Sequence, residues 1–438
     1  MLLENKLRYT LIRNPDDESQ CHWNRSEKRR WFFTLFFGTC MLYSTRTTLP
    51  LVIPSLVAEK NWSKSYSGTL LSSFFWGYTT TQIAAGYLSD KFGGERVIFI
   101  ASLFWSIITM AMPNIIEISS YFPSFSLAFI VFFRVVHGLS QGFHFASMVS
   151  VTSNNLSVTD RTNFFSLLTS GAALGTLITG CFGTFILDYF GWTFVFQVIG
   201  FIALSWSLLL RYYTMSNGRQ RIINISSELC IKNCGQNEEV PWLQILRSGR
   251  VWTCIVTQAC EMNCFLTLLS WLPTYFNENF PYKKSYLVNM LPWVSVLFFT
   301  IVAKSLTDRL IAQKFKLTNV RKLVQSICFI AQNLSLLIVM NTKNFTLALT
   351  SMCICIGVLG FHNSSLMVNP QDLSPSYSGS VFGLMNTFGS TCGFLGTYLA
   401  GHILELTQNW NAVFNIIIFI NSIGLLIFSA FGSAEAIT

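Results

Sequence analysis

The sequence predicts an all-α membrane protein built from twelve membrane-spanning helices in two halves of six. Three observations point there. Of 438 residues, 51% are apolar and only 11% charged, with 40 phenylalanines. Such a composition suits lipid rather than a soluble enzyme. Apolar segments recur along the chain, most of them longer than the ~18 residues that mark a helical span. A polar stretch over about 214–250 divides these segments six and six, and a motif after the second has an echo at the end of the eighth.

Residues 1–30 are polar and basic. They lack the basic start, short apolar core and small-residue cleavage site of a secretory signal, and read as a cytosolic tail. The amino-terminal half, 31–213, holds apolar segments at about 31–57, 66–89, 95–116, 122–149, 163–187 and 192–213. The loop over 214–250 carries Arg219, Arg221, Lys232, Arg247 and Arg250 and reads as cytosolic. The carboxy-terminal half, 251–432, repeats the pattern at about 251–276, 285–307, 319–341, 345–367, 378–402 and 410–431, leaving 433–438 as a short cytosolic end. An even number of spans puts both termini on one side, and the Lys/Arg bias says which. About 22 of the 29 basic residues fall on the side of the termini, whereas Lys60, Lys64, Lys283, Lys284 and Lys343 fall opposite. The sequons Asn61-Trp62-Ser63 and Asn344-Phe345-Thr346 lie in short non-cytosolic loops and are glycosylation sites by pattern only.

The motif joining spans two and three is Gly86-Tyr87-Leu88-Ser89-Asp90-Lys91-Phe92-Gly93-Gly94-Glu95-Arg96, and its weaker echo is Leu306-Thr307-Asp308-Arg309. Equivalent motifs in two halves are a mark of repeat-built secondary transporters. Gly93 and Gly94 supply permissive backbone for a tight turn. Asp90 suits a helix amino terminus or an arginine such as Arg96. A contact of that kind, made in one state and broken in another, would gate the molecule. Asp308 is the corresponding acid of the second half.

Charges inside spans carry the functional expectation. Arg134 lies deep within the fourth apolar run, where an arginine costs about 2.5–3.5 kcal/mol on insertion scales and so faces protein or water. Gly138 and Gly142 follow at i+4 and i+8 on the same helix face, where small residues let another helix or a ligand approach. Arg46 sits in the second half of span one. Arginine stays charged and offers planar paired donors to carboxylate or phosphate. Two such cations with little local acid favour a multivalent anion. Glu261 is the clearest acid inside a span, suited to balancing an arginine, gating or carrying a proton, or to a purely structural buried pair. His137 stands one turn from Arg134, where it either tunes that charge or packs. His144 and His362 have the same two readings. Tyr43, Trp76, Tyr78 and Phe143 are rings that can stack on a base or sugar, although most of so many aromatic side chains face lipid or neighbouring helices.

Other chemistries are weakly supported. The twelve cysteines are scattered, Cys230 and Cys234 have no partner cluster, and no His/Cys/carboxylate group has metal-ligand spacing. Basic residues are dispersed over loops, unlike a nucleic-acid-binding stripe. No nucleophile–base constellation suggests a membrane enzyme. A receptor that binds an anion without moving it is disfavoured by the duplicated halves. No phosphate-cradling Gly-x-x-x-x-Gly-Lys-Ser/Thr string is present, so a carrier of this kind would be secondary.

The turn motif, the span count and the arginine in span four resemble the major facilitator superfamily. Ser73-Phe74-Phe75-Trp76-Gly77-Tyr78 with Gln82, and Asn369-Pro370-Gln371-Asp372-Leu373-Ser374-Pro375 with Gly383 and Asn386, resemble its solute carrier 17 group of organic-anion transporters. Gly38-Thr39-Cys40-Met41-Leu42-Tyr43 with Arg46, Leu269-Ser270-Trp271-Leu272-Pro273-Thr274 with Phe280-Pro281, and Val320-Arg321-Lys322-Leu323 are similar to the vesicular nucleotide branch of that group. The resemblance implies that spans one and four line a central cavity, which places Arg46 and Arg134 on the substrate path. Gln141 stands where several relatives have a glutamate and Leu71 where glutamate carriers have a histidine. Both departures weaken proton-coupled, glutamate and sialic acid readings. The resemblance further implies potential-driven nucleotide transport into secretory or synaptic vesicles or lysosomes. It implies chloride as an activator, coupling to a vesicular proton pump and a working monomer, with other organic-anion or phosphate carriage as the alternative.

Overall fold

Asn24 opens the first helix. Arg25 N donates to Asn24 Oδ1 at 2.6 Å, and Asn24 N donates to Glu27 Oε2 at 2.9 Å. The capping box satisfies donors that a helix start leaves free. The computed structural model describes residues 23–153, 156, 168, 170–228, 242–281, 285–374 and 378–437. The first half comprises α1 Arg25–Lys60, α2 Lys64–Phe92, α3 Gly94–Ser120, α4 Ser126–Ser153, α5 Ser170–Phe190 and α6 Trp192–Glu228. The second comprises α7 Gly249–Asn279, α8 Ser285–Ala312, α9 Leu317–Asn341, α10 Phe345–Leu373, α11 Ser378–Thr407 and α12 Trp410–Phe431. A short helix, Trp242–Arg247, precedes α7, and no strand occurs among the described residues. Cys230, Cys234, Lys283, Lys284, the tail before Trp23 and part of the loop between the halves lie outside the described residues, and so does the side chain of Asp90.

Nine of these helices are long and apolar enough to cross a membrane. The other three are α1, α2 and α11, of 36, 29 and 30 residues. They are the more polar because they pack between the halves, α2 against α11 and α1 against α7, so their faces meet protein rather than lipid. Outward-facing apolar side chains such as Phe104, Phe132, Phe201, Phe298 and Phe419 are more than half exposed, as a lipid-facing exterior requires. Several helices extend beyond their apolar segments, α1 beginning at Arg25 rather than near residue 31. Backbone hydrogen bonding does not stop where hydropathy falls.

Within the first half α4 packs on α2 and α3, while α6 packs on α1 and α3. Within the second, α7 packs on α11 and α12, and α10 on α8 and α9. The α2–α4 pair is close because of glycines. A Cβ on Gly77 would overlap the Val135 carbonyl oxygen, and one on Gly138 the Phe74 carbonyl oxygen. Gly142 faces Thr81 Oγ1 in the same way. The two halves are bonded at the face that carries Lys64. Lys64 pairs with Glu278. Ser65 N donates to Glu405 Oε2 at 2.6 Å, and Ser65 Oγ lies 2.8 Å from His402 Nδ1. Asn289 Nδ2 donates to Thr184 Oγ1 at 3.1 Å, joining α8 to α5. Further along α2, Asn386 Nδ2 donates to Gln82 Oε1 at 3.3 Å.

Candidate anion-binding site

Arg46 on α1 and Arg134 on α4 are brought to one ring. The Arg134 guanidinium carbon lies 5.3 Å from the Phe74 centroid and that of Arg46 lies 5.0 Å away, so Phe74 on α2 is shared by two cations. Tyr43 and Tyr78 stand 4.6 and 4.7 Å from the Arg46 guanidinium carbon. The aromatic faces stabilise a desolvated guanidinium. Tyr43 and Tyr78, two of the rings able to stack on a base, each meet Arg46.

Gln141, also on α4, orients Arg46. Arg46 Nε donates to Gln141 Oε1 at 3.2 Å, while Gln141 Nε2 donates to Thr45 Oγ1 at 2.9 Å. Arg46 Nη2 is buried and has no hydrogen-bond partner. Arg134 Nε donates to the Leu70 carbonyl at 3.4 Å, and its Nη1 lies 3.4 Å from His137 Nδ1. The two arginines are only 5% and 3% exposed. Among the described residues no carboxylate pairs with either guanidinium. Two buried cations, an unpartnered N–H donor and no paired carboxylate among the described residues leave a positive charge that can accept an anion.

Glu261 is not part of it. On α7 it accepts from Gln332 Nε2 at 2.8 Å and faces Cys328 Sγ at 3.8 Å, both on α9. Asn421 on α12 donates to Gln332 Oε1 at 3.2 Å. Glu261 therefore faces the interior of the second half rather than the arginines. His144 contacts Thr39 Oγ1 at 3.3 Å, and His362 is buried with neither ring nitrogen bonded.

Of the expected gating residues, Gly93 has φ 87° and joins α2 to α3, Gly94 begins α3, and Arg96 is exposed in its first turn. Asp308 is exposed on α8. Among the described residues, a part-buried ion pair of the second half involves a different acid, Asp372. Arg321 Nε donates to Asp372 Oδ2 at 2.9 Å and Nη1 to the Ser364 carbonyl at 2.7 Å, tying α9 to α10. Both residues lie in strings that carry the family resemblance. Phe74 precedes Tyr78 by four residues and so shares its helix face, which is the signal the sequence holds for it. Among the described residues no cluster of His, Cys, Asp or Glu is placed to hold a metal ion.

Comparisons with known proteins place this twelve-helix membrane bundle among transporters rather than enzymes. The model of the Major Facilitator Superfamily matches residues 35–397. The human voltage-gated purine nucleotide uniporter SLC17A9 is 34% identical over 97% of this chain and 97% of its own length. The probable anion transporter 4, chloroplastic, of Oryza sativa subsp. japonica is 30% identical over 95% of this chain and 70% of its own. The crystal structure of a D-xylose-proton symporter superposes with a TM-score of 0.71 at 16% identity, covering 92% of this chain and 97% of that one. The chain belongs to the Major Facilitator Superfamily and, within it, to the solute carrier 17 family.

Proposed function

We propose that this transporter carries anionic nucleotides such as ATP, ADP and GTP from the cytosol into acidified vesicles, drawn by an inside-positive membrane potential. The observation that carries the reading is Arg46 Nη2, buried without a partner in a site that Arg134 shares and that no carboxylate among the described residues neutralises. Two uncompensated cations favour a multivalent anion, and the purine nucleotide named for the human relative is one. Each negative charge moved down ~100 mV gains about 2.3 kcal/mol, or roughly 50-fold accumulation. A nucleotide with several charges is concentrated strongly by potential alone. The rest of the reading follows that mode: chloride as activator, a vesicular proton pump supplying the potential, both termini cytosolic, a vesicular or lysosomal membrane and a monomeric carrier.

A second reading, carriage of a smaller organic anion or phosphate, is favoured by the anion transporter among the relatives. Its cargo would be glutamate, sialic acid, phosphate or urate, coupled to protons or sodium. Purified protein in liposomes, with chloride and a potassium-diffusion potential positive inside, separates the two. Labelled ATP uptake that collapses with the potential supports the nucleotide reading. Exclusion of ATP, with entry of labelled glutamate, sialic acid or phosphate, replaces the substrate.

A further inference from the structure

His137 follows Arg134 by one turn of α4 and is 2% exposed. Arg134 Nη1 approaches its Nδ1 at 3.4 Å. A guanidinium only donates, so a ring nitrogen bonded to it accepts and carries no proton. At the other end Nε2 lies 3.2 Å from Gln141 Nε2 and 3.3 Å from Thr109 Oγ1. The Gln141 amide is oriented by Arg46 Nε on its oxygen and by its own donation to Thr45, so its NH2 group faces the ring. An imidazolium would therefore carry a proton on Nδ1 that opposes the Arg134 donor. The Thr109 hydroxyl donates to the Trp105 carbonyl at 2.7 Å and keeps a lone pair for a proton on Nε2. The groups around the ring are Arg134 on α4, Arg46 from α1, Thr109 from α3 and the Phe74 ring from α2 at 5.4 Å. Among the described residues no carboxylate bonds to it.

We propose that His137 is a positioning residue: a neutral imidazole, with its proton on Nε2, whose Nδ1 fixes how Arg134 presents its guanidinium to the transported anion. This rests on the reading above, in which Arg134 meets that anion. His137 then adds no pH dependence to substrate affinity across the ordinary histidine range, because a second proton would have to go on Nδ1 and break the contact with Arg134.

The test uses the purified full chain in liposomes at fixed inside-positive potential. Uptake is read with labelled ATP or, if wild type excludes it, with labelled inorganic phosphate. Wild type, Arg134→Ala, His137→Leu, His137→Asn and His137→Gln are compared, each first checked by thermal melting; His137→Met replaces His137→Leu if the latter fails to fold. Asparagine puts a carbonyl oxygen near the position of Nδ1, whereas glutamine puts its polar group near Nε2. His137→Leu is expected to raise KM about tenfold, the loss of one hydrogen bond to a charged group. His137→Asn recovers most of that loss and His137→Gln does not, and the pH profile of KM from about pH 5.5 to pH 7.5 is the same in wild type as in His137→Asn. An unchanged KM in His137→Leu, equal recovery by both amides, or a pH step that vanishes in His137→Asn overturns the proposal. Failure of the proposal alone shows as an inactive Arg134→Ala beside a normal His137→Leu. Normal uptake by Arg134→Ala overturns the anion-site reading and the proposal with it.

Discussion

At the scale of single residues, the site is governed by uncompensated charge. Removing Arg134 removes donors that no neighbour replaces. Arg134→Ala is expected to lower uptake by at least about 100-fold, the worth of two hydrogen bonds to a charged group. Its melting temperature in detergent should hold or rise, since a buried arginine is itself costly. Normal uptake would take Arg134 out of the mechanism. Gln141 is the other decisive residue, because its oxygen accepts from Arg46 Nε. Gln141→Glu puts a carboxylate there, which neutralises one of the two cations when ionised. Uptake should fall at neutral pH and recover on acidification, as protonation restores a neutral acceptor. Initial rates between about pH 5 and pH 8 test this, and an unchanged profile rejects it. Arg46, Arg134 and Gln141 were all legible in the sequence, since a charge or amide in an apolar run stands out from its neighbours. That Tyr43 and Tyr78 would face Arg46 was not legible, because a ring in an aromatic-rich span looks the same whether it meets lipid, a ligand or a guanidinium.

At the scale of helices, close approach fixes the site. Arg134 and Phe74 lie on different helices, α4 and α2, and their separation depends on Gly77, Gly138 and Gly142 at the crossing. Gly138→Val would force its side chain onto the Phe74 carbonyl. The expected cost is about 1–3 kcal/mol of overpacking, with loss of uptake, seen as a lower melting temperature. A variant that melts and transports like wild type would show that α2 and α4 tolerate separation. The glycine spacing was readable as a packing face, but its partner was not. A three-or-four-residue period says which residues share a stripe and nothing about which helix covers it. Glu261 shows the same limit. It was legible as a buried acid, yet the rotation of α7 turns it to Gln332 and Cys328 on α9.

At the scale of the whole molecule, the bonds at the Lys64 face hold the halves together. Lys64–Glu278, Ser65–Glu405 and Ser65–His402 all join one half to the other. Rocking of the halves around a fixed site requires such contacts to break. Lys64→Glu sets two carboxylates against each other and should move the population toward separation at that face. Spin labels at Lys60 and Leu406 would then report longer distances, and Lys64→Glu combined with Glu278→Lys would restore the shorter ones. Unchanged distances in the single variant would mean the pair does not hold that face shut. On the same face Trp192 Nε1 donates to Glu59 Oε2 at 2.7 Å and holds that carboxyl below the usual carboxylate range. The sequence by itself determined the membrane class, the twelve helices, their division into two sets of six and the two arginines inside spans. Apolar length and the cost of a charge in lipid are local properties, written in consecutive residues. Only the tertiary structure decided that both arginines share Phe74, that Arg46 keeps an unpartnered nitrogen, and that Arg321 and Asp372 form a part-buried ion pair in the second half. Those contacts join residues far apart in sequence, and they depend on how each helix is rotated about its axis when all twelve pack together.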